Sequence, residues 1–421
     1  MNNTTVQYMF VDMNSFFASV EQQEAPHLRG RPVAVVPSMT EHTCAIAASY
    51  EAKAFGVKTG TIIRDALDMC PHLNCVPARH NIYRDYHDLI LAEADKHTRV
   101  GKVWSIDEFS SPLWPSDQPV EKAVALSKQL KKGLADNVGE CVTCSIGLAP
   151  NSYLAKVASD MMKPDGITVL TKDNLKEKLF PLRLKDFPGI GDNMEKRLNR
   201  AGLWTVEQVW NCSPKQLRKV WGSVEGEKFW YRLHGEDVPD RPESEKVMIG
   251  HSRVLDPQHR TPVMAKHIGR RLLIKAAQRL RRAQLLTGAM SLSVRTTDDA
   301  RWSIEERCSA MDDNLSLIRL YTKLWDVMMN ELHPYRLKKV SVIFHRLGPA
   351  ERVTDNLLDF SDDKTRIWRE KSRALSNSMD GINRKYGNDK LSFGSSPKTM
   401  AEFVGTKIAF SRIPDREEFW E

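Results

Sequence analysis

The sequence predicts an α+β chain of several domains, on three observations. Its 421 residues exceed what one ordinary hydrophobic core holds. Strand-like and helix-like segments mix throughout the first 170 residues, and an almost wholly helical stretch follows at 173–238. From 246 to 346 the order is then strand, helix, strand, strand, helix, strand, a split βαβ arrangement.

In chain order, YMFVDMN reads as a short buried strand and SFFASVEQQE as a helix. RPVAVVP is a second strand, and YEAKAFGV continues a helix that stops at Gly56. Residues 85–98 read as helix, VWSIDEF as one strand, and 119–136 as helix. CVTCSIGLA is a strand, and NSYLAKVASDMMK is a helix ending before Pro164. The helical stretch is broken at Pro188-Gly189, Gly191 and Gly202, and a Pro-Glu-Ser linker (238–244) marks a boundary. KVMIGHSRV, 262–286, AMSLSVRTT, RWSIEERC, 312–332 and KKVSVIFHR then supply the split βαβ order. The last 70 residues read as polar and less regular.

Hydrophobic residues at 41% and charged residues at 28% are ordinary for a soluble folded protein. No run approaches the roughly 18 apolar residues of a membrane helix. The start, MNNTTVQYMFVDMN, shows no basic and then apolar export signal, so a cytoplasmic protein with no membrane partner is expected. Seven irregularly spaced cysteines argue against a disulfide framework. Cys141-Val-Thr-Cys144 has no second CxxC or His pair to complete a zinc site, so core packing is expected of it. The net charge of +8 is concentrated: residues 246–350 hold 19 Lys and Arg against 9 Asp and Glu. That module points to a polyanionic partner.

Asp12 ends an apolar strand, and Asp107-Glu108 lie in another. Carboxylates embedded in apolar strands are costly unless paired, and divalent metal is one partner that pairs them. Phosphoryl transfer uses two such ions, one at the attacking oxygen and one at the leaving group. Taken alone, these acids read more readily as hydrated or salt-bridged strand ends than as metal ligands.

Context decides between the two. FVDMNSFFASVE, SYEAKAFGVKTG, SIDE, CSIGLAPNSYLAKVASDMMKPDGI and DFPGIG occur in this order. In these motifs the chain resembles the Y-family of translesion DNA polymerases, in its bacterial UmuC-like and DinB-like branch. The resemblance spans about 1–350 and reaches the tail more loosely. It implies a right-hand polymerase fold: a mixed α/β palm (1–23 and 80–170), small fingers (24–79), a helical helix-hairpin-helix thumb (171–240), a split-βαβ little finger (245–350) and a C-terminal tail (351–421). It implies a template-directed, distributive DNA polymerase without proofreading, acting in DNA damage tolerance, the SOS response and mutagenesis.

The same resemblance assigns residues. Asp12, Asp107, Glu108 and the Met13 backbone carbonyl are the implied holders of two Mg2+ ions. Phe17 is the implied steric gate against a 2′-hydroxyl; without the family it reads as a core phenylalanine beside Phe16. Tyr50, Lys53 and Lys163 are the implied contacts of the incoming dNTP, where both lysines otherwise read as solvated surface residues. Lys53 stands where many relatives have Arg, giving a point charge for a bidentate fork. Asn14 stands where an acid is frequent, and Phe109-Ser110-Ser111-Pro112 departs from the usual pattern. Pro112 predicts that its strand ends early or runs at an edge.

DFPGIGDNMEKRL predicts two helices joined at Gly189 and Gly191, whose amides meet a DNA phosphate. In the basic module Arg270, Arg271, Lys275, Arg279, Arg281 and Arg282 crowd one helix. Arg253, Arg295 and Arg301 fall on strands and are the preferred DNA contacts. Implied partners are primer-template DNA, the nucleotide, a sliding clamp and an SOS-type accessory subunit. Leu357, Leu358 and Phe360, after Asn356, form a candidate clamp peptide that reads equally as a packing segment. Two other classes, a catalytically silent clamp-binding scaffold and a two-metal nuclease, are disfavoured by the retained acids and by the triphosphate set respectively.

Overall fold

A computed structural model of the chain describes residues 5–238, 248–349, 363–387, 390–393 and Ile413. The clamp-peptide candidate Leu357, Leu358 and Phe360 lies outside the described residues. Two compact units divide the chain, one holding residues 5–238 with Ile413 and the other holding those described from 248 to 393.

The first unit runs β1 (Tyr8–Met13), α1 (Phe16–Glu24), β2 (Val33–Val36), β3 (Ala47–Ala48), α2 (Tyr50–Ala54), α3 (Ile63–Met69), β4 (Asn74–Pro77) and α4 (His80–His97). It continues β5 (Lys102–Ser105), β6 (Glu108–Pro112), α5 (Val120–Asn137), β7 (Cys144–Ala149), α6 (Ser152–Met161) and β8 (Ile167–Val169). Five helices close it: α7 (Leu175–Leu179), α8 (Asp192–Arg200), α9 (Val206–Trp210), α10 (Pro214–Trp221) and α11 (Val224–Leu233).

Five strands form one sheet in the order β5-β6-β1-β7-β8, with β8 alone parallel to its neighbour. Strand side chains alternate between faces, so β1 sends Met9, Val11 and Met13 one way and Tyr8, Phe10 and Asp12 the other. The first set joins Phe109, Ile146 and Leu148 in a core with Val20 of α1, Tyr83 and Ile90 of α4 and Leu130 of α5. On the second face Phe10 packs with Leu154, Ala155 and Ala158 of α6. A Cβ on Gly147 would lie 1.9 Å from the Ala155 carbonyl oxygen, so only glycine lets α6 sit this close on β7. A smaller sheet, β3-β2-β4, packs with α2 and α3.

Several expectations are corrected here. VWSIDEF is not one strand: β5 ends at Ser105, Ile106-Asp107 turn, and β6 starts at Glu108. Pro112 does close β6, but that strand lies inside the sheet. The β7 strand begins at Cys144, leaving Cys141 in the preceding turn. The first helix expected at the Pro-Gly-Ile-Gly joint is a single 3-10 turn, Leu184–Asp186. The Asp186 carboxylate closes the turn without a longer helix, accepting from the Arg183 amide and from its guanidinium, each at 2.8 Å.

The second unit runs β9 (Met248–Val254), α12 (Pro262–Arg282), β10 (Leu285–Thr296), β11 (Arg301–Met311), α13 (Asn314–Leu332), β12 (Leu337–Pro349) and α14 (Asp363–Tyr386). The antiparallel sheet has the order β11-β10-β12-β9. Met290, Leu292, Val340, Val342 and Phe344 face α12 and α13, making the core with Leu272, Leu280, Leu317 and Tyr321. By alternation Ser291, Ser293, Arg295, Ser303, Lys339 and Ser341 line the opposite face.

The tail holds a 24-residue helix that polar composition concealed. Asp380 of α14 takes two hydrogen bonds from the Arg281 guanidinium, at 2.7 and 2.9 Å. The Ser376 hydroxyl accepts from the Asn314 amide at 3.0 Å, and Ser372 donates to Asp313, which itself caps α13 through the Ser316 amide at 2.9 Å.

Candidate active site

The site is built on adjacent strands. Asp12 on β1 lies directly opposite Glu108 on β6 and Ser145 on β7, while the Met13 amide donates to the Asp107 carbonyl at 2.9 Å. The hairpin turn thus places Asp107 beside Met13 and aims Glu108 at Asp12. Asp12 is only 4% exposed. Lys156 of α6 reaches both carboxylates: its Nζ is 2.5 Å from Asp12 Oδ2 and contacts Glu108 Oε1. Lys163 donates to the other Asp12 oxygen, Oδ1, at 2.7 Å, and Asp160 takes both lysines, at 3.5 and 2.7 Å.

Burial opposes ionisation of Asp12, but the Lys156 and Lys163 ammoniums outweigh it and hold the carboxyl below its ordinary value. Burial pushes Glu108 up to about 7 against the pull of Lys156. Burial also raises Asp107, whose Oδ1 accepts from the Ser105 hydroxyl and so turns toward its own hairpin. Among the described residues, no three carboxylate, imidazole or thiolate groups converge as a metal site requires. The donor chemistry nevertheless fits divalent metal. Asp12 and Glu108 face each other and already share one cation, the Lys156 ammonium.

Lys156 is the residue of this charge cluster that sequence reasoning missed. Its signal was present: Lys156 and Asp160, at i and i+4, share one face of the helix that runs past the acids, and Lys163 follows just beyond that helix's end. Asn151 starts that helix by accepting from the Leu154 amide at 2.8 Å.

The nucleotide candidates lie in the same neighbourhood. Ser49 caps α2 through the Ala52 amide, setting Tyr50 and Lys53 on its first turn. Lys53 Nζ donates to Ser15 Oγ at 2.7 Å and lies 4.2 Å from the Tyr50 ring centre. Burial and then the Lys163 ammonium lower Lys53, with Asp12 opposing. Burial raises Tyr50, which also feels Lys163 and Asp12. Phe16 is a core residue, 3% exposed, whereas Phe17 is half-buried and stacks on Tyr83 at 4.2 Å and 12°. Tyr83 is fixed in turn, its hydroxyl donating to Glu21 at 2.6 Å and Glu21 pairing with Arg79.

Gly189 has φ +90°, which glycine alone adopts freely, and a Cβ at Gly189 or Gly191 would meet nothing within 4 Å. Both glycines therefore face open space at the start of α8. In the second unit, Arg295 and Arg301 are register partners on the sheet face opposite α12 and α13, with Arg301 exposed. Arg253 differs from expectation. It pairs with Val340 in register, so its side chain leaves β9 on the helix-covered side, where Asp256 binds it at 3.1 Å. Arg281 is likewise taken up by Asp380.

Comparison with known proteins places these features. The impB/mucB/samB family model matches residues 11–160, and the model of that family's C-terminal domain matches 246–357. The chain belongs to the Y-family of DNA polymerases. A third model, the DNA polymerase-iota thumb domain, matches 185–237 of this Y-family chain. DNA polymerase IV of Alkaliphilus oremlandii (strain OhILAs) is 28% identical over 394 residues, 91% of this chain and 97% of that one. DNA polymerase IV 1 of Bacillus subtilis (strain 168) is 28% identical over 405 residues, 92% of each. DNA polymerase IV of Moorella thermoacetica is 37% identical over 226 residues, 53% of this chain and 56% of the relative.

Among solved structures, a Y-family DNA polymerase chimera superposes with a TM-score of 0.69 at 22% identity, covering 81% of this chain and 99% of its own. The insertion ternary complex of Dbh DNA polymerase gives a TM-score of 0.53 at 24% identity over the same shares. These likenesses show the Y-family fold, with its palm, thumb and little finger. Helix α14 lies beyond the matched C-terminal domain. No helix among the described residues of this Y-family chain is long and apolar enough to cross a membrane.

Proposed function

We infer that the chain is a DNA polymerase IV-like translesion DNA polymerase, adding deoxynucleotides to a primer 3′ end on a DNA template. One juxtaposition carries the reading: Asp12 and Glu108 face each other across β1 and β6, with Lys163 on one Asp12 oxygen and Lys156 on the other. Two magnesium ions bound by Asp12, Asp107, Glu108 and the Met13 carbonyl would supply the activated 3′-hydroxyl and the charge offset for the departing pyrophosphate. Lys156 bridges Asp12 and Glu108. Lys53 and Lys163 are cationic donors for the triphosphate, with Tyr50 alongside. Phe17, its ring backed by Tyr83, excludes a 2′-hydroxyl by volume.

The domain roles follow as proposals: palm at 1–23 and 80–170, fingers at 24–79, thumb at 171–240, little finger at 245–350. Primer-template DNA is held by the Gly189-Gly191 joint and by the sheet face bearing Arg295 and Arg301. A sliding clamp would take the 357–360 segment, and an SOS-type accessory subunit remains part of the proposed setting.

Primer extension by the purified full chain with magnesium tests the reading. The parent should lengthen a primer one templated nucleotide at a time, and Glu108→Gln should slow this by about a thousandfold or more with primer-template binding kept. A parent that shortens the primer is a nuclease. A Glu108→Gln protein as fast as the parent refutes the assignment of the carboxylate.

A further inference from the structure

The active-site sheet carries an aromatic that the polymerase reading has not used. Strand β5 is the sheet edge, and its pairing with β6 shifts register between Val103 and Ser105, leaving Trp104 as the extra residue of a bulge. Alternation from Lys102, the register partner of Ser110, puts Trp104 on the face that bears the carboxylates, and the bulge brings Ser105 opposite Glu108 on that face as well. The Trp104 Nε1 donates to Ser110 Oγ at 3.0 Å, and its ring lies 6.4 Å from that of Phe10. Ser110 follows Glu108, and Phe10 precedes Asp12, by one pleat repeat on the same face, about 7 Å along the strands. The indole stays 39% exposed, and Lys102 Nζ lies 3.7 Å from its ring centre.

We propose that Trp104, with Lys102, is the seat of the primer's 3′-terminal nucleotide. The inference rests on the polymerase reading and deepens it. In-line transfer places the attacking and leaving oxygens on opposite sides of the reacting phosphorus. Asp12 presents its two oxygens to different neighbours: Oδ1 to Lys163, on the side of Lys53 and Tyr50, and Oδ2 to Lys156 and through it to Glu108. If the triphosphate occupies the first side, the primer comes from the second. Helix α6 covers β7 and β1 on this face and reaches β6 through Lys156, so the strand beside Glu108 that it leaves is β5, where Trp104 stands. An indole offers a flat face to a sugar or base of any identity, and the Lys102 ammonium suits the adjoining phosphate.

The test uses the full chain, primer-template of fixed sequence, and the Trp104→Ala and Trp104→Phe variants. Trp104→Ala should bind primer-template about tenfold more weakly, with the KM for the incoming nucleotide unchanged, and Trp104→Phe should recover most of the loss. In the parent, a photoreactive 4-thiothymine at the primer's 3′ end should crosslink to the peptide containing Trp104. Crosslinking to another peptide overturns the proposal even if Trp104→Ala fails to fold. So does a folded Trp104→Ala protein that binds primer-template as tightly as the parent, or one that changes only the nucleotide KM. Failure of the parent itself to extend primers would instead strike the polymerase reading beneath.

Discussion

Replacing Asp12 with asparagine removes a charge while keeping nearly the same volume, and so separates the two duties of this residue. In the parent, Asp12 is 4% exposed and takes Lys156 at 2.5 Å and Lys163 at 2.7 Å. Removing one partner of a buried ion pair costs about 3–5 kcal/mol, because the other charge is stranded. Stranding is incomplete here. Both lysines keep Asp160, at 3.5 and 2.7 Å, and Lys156 also keeps Glu108. The low end, about 3 kcal/mol, is therefore expected. For a unit of this size about 1 kcal/mol moves the midpoint by about 2–4 °C, so the first unit of Asp12→Asn should melt roughly 6–12 °C early. Circular dichroism melts without divalent metal measure this, beside primer extension with magnesium. Adding Lys156→Met should return much of the stability and none of the extension, because it relieves the stranded ammonium without restoring a metal ligand. An unchanged melt in Asp12→Asn, or no recovery in the double variant, refutes the pairing argument. Extension at the parental rate refutes the catalytic one.

Two further outcomes are expected. Phe17→Ala should admit ribonucleotides far better than the parent, whereas Phe16→Ala should chiefly lower the melting temperature, since Phe16 is buried in the core and Phe17, only partly buried, stacks on Tyr83; equal ribonucleotide exclusion in parent and Phe17→Ala would sink the gate. Arg295→Ala with Arg301→Ala should flatten the salt dependence of DNA binding by a log–log slope of about 1 to 2, the lower figure if Asp299, 2.9 Å from Arg295, keeps that guanidinium from a phosphate, while Arg253→Ala leaves it unchanged because that side chain lies on the helix side of the sheet; a flattened slope in Arg253→Ala alone would reverse the face assignment.

The fold was readable where periodicity and burial agree. The run YMFVDM is buried almost throughout and reads as strand, and the six elements from β9 to β12 appear in their expected order. It was unreadable where a local cue was missing. The turn at Ile106-Asp107 carries neither Gly nor Pro, so VWSIDEF passes for one strand. Helix α14 buries Ser372, Ser376 and Asn383 along with Met379, and a helix docked through hydroxyls and charge shows little apolar stripe. The three acids were placed by family motif. What they touch was not, because Lys156 meets Asp12 only through the packing of α6 on β1. Arg253 shows the same limit: alternation along a strand says that neighbours diverge, and which side faces helices depends on the strands' partners.

The docking of α14 bears on where this polymerase can be cut for dissection or for exchange of parts with relatives. Scissors placed at residue 357, the edge of the matched C-terminal domain, would keep every strand of the second sheet. They would also remove Asp380 from Arg281, which is 5% exposed, and Arg373 from the buried Asp312. The Asn314 amide at the start of α13 would lose the Ser376 hydroxyl as well. A fragment or chimera that keeps the natural surface of this unit therefore carries its own chain through residue 393, where the Phe393 carbonyl still accepts from Arg270.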